Sequence, residues 1–253
     1  MRTPATVVLI HGWLGFRKIL WRDYFKGVRP LLEEMELRVI VPGLSWGGGI
    51  VKRSGQLGSQ LADESGPLHL IAHSMGGLDA RRYITHLGGH DKVASLTTLA
   101  TPHRGSSAAD HVLTGHSPFR CMPGVHDLTA DATMRLNAAT PNHPDVIYRS
   151  YSAARPVAEQ PWPVRRYGRI IEQAEGANDS QVATASAEWG EHVARLHADH
   201  FELIGLNLWL NPFAKRAGFD HLSLYRAIGE WALSGTGQAT ASRMLQSRHG
   251  KYL

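Results

Sequence analysis

The chain has 253 residues, 43% of them hydrophobic and 19% charged, enough for one large α/β core with no need for a second domain. No apolar run approaches the ~20 residues a membrane span needs, and a single cysteine, Cys121, excludes an internal disulfide framework. A net charge of +5 and an isoelectric point near 9.5 would suit an anionic partner, but the basic residues are dispersed, so no nucleic-acid partner is expected. Fifteen histidines show no ligand spacing, and His86 with His90 lacks the helix-borne glutamate of a zinc motif, so no metal is expected. No signal-peptide pattern precedes Val7, which reads as a cytoplasmic protein or as a secreted one whose leader has been removed.

Strands and helices alternate along the chain. Val7 to Ile10 reads as a strand, and Leu20, Tyr24, Val28, Leu31 and Met35 predict one helical face over 20–35. A strand at 37–41 ends at Pro42-Gly43, and a glycine-rich loop at 46–49 leads to a helix near 51–64. A third strand at 68–72, a helix at 75–87 and a fourth strand at 94–100 follow. Near-continuous apolar strands separated by helices predict a mostly parallel sheet covered on both faces. From Thr101 to about Asp145 five prolines break the alternation, which predicts an irregular excursion over the sheet. A returning strand at 146–151, an irregular 154–177 segment and a closing helix at 221–233 complete the pattern. Residues 1–233 are expected to form one domain with lid elements within about 101–177, and 234–253 a mobile tail.

The strand Leu68-His69-Leu70-Ile71-Ala72 stops at His73-Ser74-Met75-Gly76-Gly77 before a helical pattern. A serine on such a tight strand-to-helix turn takes a strained backbone that only small neighbours, here Ala72 and Gly76, can accommodate. The turn exposes the hydroxyl at a helix N-terminus, whose free N–H groups favour developing negative charge. Ser74 is thus the candidate nucleophile.

A serine hydroxyl needs a base to take its proton and an acid to orient that base. Asp179, in Asn178-Asp179-Ser180-Gln181-Val182, is a candidate acid, placed as if at the carboxyl end of a strand. His200 and His221 are both candidate bases, and the residues alone favour His221 because it opens an evident helix. His11-Gly12-Trp13 follows the first strand, so the Trp13 N–H could join that of Met75 on an oxyanion, where one such donor is worth about 3 kcal/mol. Asp79, one turn after Ser74, reads as a structural partner for an arginine.

Together these segments resemble the bacterial and fungal serine lipases and esterases of the α/β-hydrolase superfamily, nearly end to end. His11-Gly12-Trp13-Leu14-Gly15-Phe16 resembles their oxyanion loop, Ala72 to Gly77 their nucleophile elbow, and Thr101-Pro102-His103-Arg104-Gly105-Ser106 the stretch that follows it. Asn178 to Val182 is similar to the segment carrying their triad acid, with Ser180 where the family has glycine, and Asp199-His200-Phe201-Glu202-Leu203-Ile204 to the segment carrying the base. The resemblance implies an α/β-hydrolase fold, a triad Ser74, Asp179 and His200 rather than His221, and hydrolysis of carboxylic esters, lipid esters above all, without a cofactor. It leaves acyltransferase and polyhydroxyalkanoate depolymerase chemistry open, with a non-catalytic lipid-binding protein as the reading from another class. A lipid interface is an expected transient partner. Some relatives bind a structural calcium, but Glu202 stands where one ligand would lie and no second is evident, so none is expected. Phe119, Met122, Trp162, Trp209 and Phe213 are candidates for an acyl pocket or for plain core.

Overall fold

The computed structural model describes residues 5–15, 18–19, 22–115, 117–208 and 218–234. Among them, six strands form one parallel sheet: β1 (Thr6–Ile10), β4 (Arg38–Ile40), β5 (Leu68–His73), β6 (Val93–Leu99), β7 (Ile147–Ala153) and β8 (Glu191–Leu196), in the order β4-β1-β5-β6-β7-β8. A two-residue antiparallel pair, β2 (Lys18–Ile19) and β3 (Arg22–Asp23), lies outside it. No helix among the described residues is long and apolar enough to cross a membrane.

The pleat divides β1 between two cores. Val7 and Leu9 pack into one cluster with Val28 and Leu32 of α1 (Val28–Glu34) and with Leu224, Tyr225 and Ile228 of the helix at 221–234. Val8 and Ile10 face the opposite cluster, with Leu57 of α2 (Ile50–Gln60) and Ala80, Tyr83 and Ile84 of α3 (Gly76–His86). Burial on both faces explains why β5 reads as an almost unbroken apolar run: all six of its residues are buried. The chain runs from β1 outward to β4 and then returns to β5 on the other side of β1. That reversal opens a crevice beyond the carboxyl ends of β1 and β5, the place where such sheets bind ligands.

The predicted helix over 20–35 is much shorter. It begins only at Val28, after Gly27 in a left-handed conformation (φ 72°), and β2 and β3 precede it. Pro30 accounts for this: in the first turn its missing N–H costs nothing, whereas in the interior of a longer helix its ring would clash with the carbonyl four residues back. Among its described residues, the irregular excursion after Thr101 contains no strand but is largely helical, with α4 (Ser107–Thr114), α5 (Pro123–Asp127) and α6 (Ala130–Ala139). Each proline there sits at a helix start or in a connection. The 154–177 segment contains α7 (Arg165–Glu175), followed by α8 (Thr184–Ala187), and the edge strand β8 was not expected. β8 reads Glu-His-Val-Ala-Arg-Leu and is half exposed, so it lacks the apolar signature of an interior strand. The expected tail beyond 234, together with Phe16, Leu20, Trp209 and Phe213, lies outside the described residues.

Candidate active site

Ser74 follows the last residue of β5 and takes φ 54°, a left-handed conformation that non-glycine residues seldom adopt and that costs of order 1–3 kcal/mol. The surroundings hold it there. Its N–H donates to Leu99 O (2.9 Å), and the Thr101 hydroxyl donates to Ser74 O (2.7 Å). A Cβ on Gly76 would fall 2.6 Å from Ile10 O, and one on Gly77 would collide with the Thr101 side chain, so α3 can approach β1 and β6 only through glycine.

Asp179 and His200 form a buried pair. The imidazole Nδ1–H donates to Asp179 Oδ2 at 2.7 Å, and the His200 N–H donates to Asp179 O at 2.9 Å. The other carboxylate oxygen, Oδ1, accepts from the N–H groups of Gln181 (2.9 Å) and Val182 (2.7 Å). With Nδ1 committed to the acid, Nε2 is the nitrogen left to accept a proton. His200 and Ser74 line the same cavity of about 260 Å³. His221 does not: its Nε2 donates to Lys26 O (2.8 Å), at the start of the helix at 221–234. The local preference for His221 is therefore not supported by where the side chain goes. Asp179 also differs from expectation in position, since α7 separates it from β7 and it sits in a loop closed by the Asn178–Ala183 bridge. Asn178 builds that loop, accepting from the Ser180 N–H (2.9 Å) and donating to Gly168 O and Gly176 O (both 3.0 Å).

Ser180 is where the loop is strained. Its φ is 87°, it is fully buried, and its hydroxyl finds no hydrogen-bond partner among the described residues. Both penalties vanish with glycine. Ser180→Gly is expected to raise stability by about 1–3 kcal/mol in urea unfolding, and a variant no more stable than the parent would contradict the strain.

The loop after β1 closes the site from the other side. A Cβ on Gly12 would lie 2.7 Å from Ser74 Cβ, so the loop backbone rests directly against the serine. The Leu14 N–H donates to Trp46 O (2.9 Å), with Leu14 at φ 56°. Among the described residues neither Trp13 N–H nor Met75 N–H donates to any protein group. Arg53, fully buried, fixes the loop from below. Its Nη2 donates to His11 O (2.7 Å), its Nη1 to Ser45 O (2.8 Å) and its Nε to Asp79 Oδ2 (2.8 Å). Asp79 is thus an arginine's partner. Burial drives its carboxyl up to about 7 against the pull of Arg53, and burial with the Arg53 charge brings His11 down to about 4.

The cavity is walled mainly by apolar side chains of the excursion, including Ala109, Val112, Phe119 and Val125, with Val164 and Tyr167 from the α7 region. Of the candidate pocket residues that are described, only Phe119 lines it. Met122 packs beside Gly47, and Trp162 is 66% exposed. No group of three or more histidine, cysteine, aspartate or glutamate residues among the described ones is placed to hold a metal ion. Sequence reasoning passed over Tyr24, Arg53 and His73. The signal for His73 was present, since it is one of two histidines in an otherwise apolar, fully buried strand.

No protein-family model matches the chain. By sequence it is 32% identical over 221 residues to triacylglycerol lipase 2 of Saccharomyces cerevisiae, a match spanning 78% of this chain and 65% of that protein. It is 29% identical over 149 residues to a triacylglycerol lipase of Pseudomonas fragi, spanning 57% of this chain and 50% of that one. The matched stretch covers less than two thirds of either relative. By structure the chain is similar to Staphylococcus hyicus lipase, with a TM-score of 0.73 and 15% identity over 92% of this chain and 96% of that one. It is likewise similar to the mature Bacillus licheniformis lipase BlEst2, with a TM-score of 0.69 and 19% identity over 79% and 86%. Identities that low carry the fold alone, and they agree with a six-stranded parallel sheet flanked by helices. The fold is of the α/β-hydrolase type, and by sequence and architecture the chain is similar to lipases and esterases.

Proposed function

We propose that the chain is a serine hydrolase that cleaves carboxylic esters of lipids through an acyl-enzyme on Ser74. The observation that carries this reading is the hydrogen-bonded Asp179–His200 pair opening onto the same cavity as a serine held at φ 54°. In the proposed reaction Ser74 Oγ attacks the ester carbonyl while His200 Nε2 takes its proton. Asp179 holds the imidazole in the Nδ1–H tautomer and stabilises the imidazolium as it forms. The free N–H groups of Trp13 and Met75 receive the oxyanion. His200 then protonates the departing alkoxide, and a water that gives its proton to the same nitrogen releases the acid and regenerates the serine. The apolar cavity suits an acyl chain, and both sequence relatives are named as triacylglycerol lipases.

Labelling with a fluorophosphonate probe, alongside hydrolysis of a nitrophenyl ester series, tests the reading. The protein is expected to label once and Ser74→Ala not at all, with ester turnover lower by about 10⁵–10⁶-fold. Equal labelling of protein and variant, or a wild type inert in both assays, would sink it.

A further inference from the structure

Three parts of the proposed site come from distant stretches of chain: the loop at Gly12, the elbow at Ser74 and the loop at His200. One hydrogen-bond chain joins all three. The Gly12 N–H donates to the Tyr24 hydroxyl (3.2 Å), that hydroxyl meets His73 Nδ1 (2.7 Å), and His73 Nε2 meets the backbone carbonyl of His200 (3.0 Å). All of the groups are buried.

The proton positions follow from the two ends. A backbone carbonyl only accepts, so His73 must carry its proton on Nε2. Nδ1 is then an acceptor, and the Tyr24 hydroxyl must donate to it. The tyrosine oxygen is left to accept the Gly12 N–H. The chain therefore runs in one direction with every donor matched, and neither nitrogen of His73 is available for proton transfer. Burial, and next the nearby His200, hold the His73 imidazole well below its usual range and so neutral. That matters because its ring lies 4.5 Å from the ring of His200, where an imidazolium would form during turnover. A second cation there would oppose the first.

We propose that Tyr24 and His73 are positioning residues, a one-way hydrogen-bonded strut that sets the oxyanion loop and the His200 loop in register across the elbow. The proposal rests on the hydrolase reading above. The oxyanion donors and the base act together only in the transition state, so loosening the strut weakens transition-state binding and leaves substrate binding largely alone.

Tyr24→Phe deletes only the hydroxyl, and His73→Gln keeps a donor and an acceptor but cannot span both partners. Each is assayed for kcat and KM on a short soluble ester and for inhibition by a phenylboronic acid, which forms a tetrahedral adduct on the serine. Circular dichroism at the assay temperature checks that the variants are folded. The expected result is a kcat lower by about 10- to 100-fold, KM within about twofold, and boronate affinity weakened in parallel with kcat. The double variant is expected to lose no more than the worse single, since the two act as one unit. A structural role alone would shift the melting temperature and spare the boronate affinity. A folded Tyr24→Phe or His73→Gln with kcat within twofold of the parent, or losses that multiply in the double variant, overturns the proposal while an active wild type leaves the hydrolase reading standing. A wild type that is inert to ester and probe overturns both.

Discussion

His200→Ala is expected to lower kcat for a nitrophenyl ester by about 10⁵–10⁶-fold, and His221→Ala to leave it within about twofold. The contrast follows from what each imidazole touches. His200 gives its Nδ1–H to a carboxylate that accepts three hydrogen bonds and shares a cavity with Ser74. His221 bonds a backbone carbonyl at Lys26, and its ring packs edge-on near Tyr225. In the proposed mechanism, removing His200 leaves Ser74 with no group to take its proton, and only the proposed oxyanion donors and substrate binding remain. Asp179→Asn is the graded companion. It preserves the shape of the pair but offers the imidazole a donor where it needs an acceptor, which favours the wrong tautomer and is expected to cost about 10⁴-fold in kcat. Full activity in His200→Ala, or a matching collapse in His221→Ala, would move the base to the other histidine.

Asp79→Ala is expected to destabilise the fold by about 3–5 kcal/mol, the largest effect on stability anticipated for a single substitution outside the apolar core. Arg53 and Asp79 are both 0% exposed and lie 2.8 Å apart between α2 and α3. Deleting the carboxylate leaves a guanidinium buried with only carbonyl partners, and a charge without its counterion is far costlier in a low-dielectric interior than the intact pair. Asp79→Asn should be gentler, at about 1–2 kcal/mol, because its amide oxygen can still accept the Arg53 Nε–H bond. Activity should suffer in both, since Arg53 also holds the His11 carbonyl and with it the loop that rests against Ser74. Chemical denaturation at neutral pH measures the first effect and kcat the second. A loss below about 1 kcal/mol in Asp79→Ala would mean that Arg53 reaches solvent or finds another partner.

How much of this was readable in advance differs from element to element. The strand at 68–73, the turn at Ser74 and the helix from Gly76 were legible because their causes are local: apolar residues in succession, then glycines that admit a left-handed residue and a close helix approach. The strand at 191–196 was not, because an edge strand half open to solvent carries no hydrophobic pattern. The helix over 20–35 was overdrawn because its apolar spacing is real on both sides of Pro30, and the proline decides which part can coil.

The amino-acid sequence by itself determined that a strained serine would stand at the head of a helix on a parallel sheet, since backbone strain and amphipathicity are properties of about ten neighbouring residues. Only the tertiary structure decided which histidine shares a cavity with it, how Asp179 is held, and that Tyr24 and His73 link segments 49 and 127 residues apart. Hydrogen-bond partners of that separation are chosen by how the chain is routed across the sheet, and no local pattern records the route.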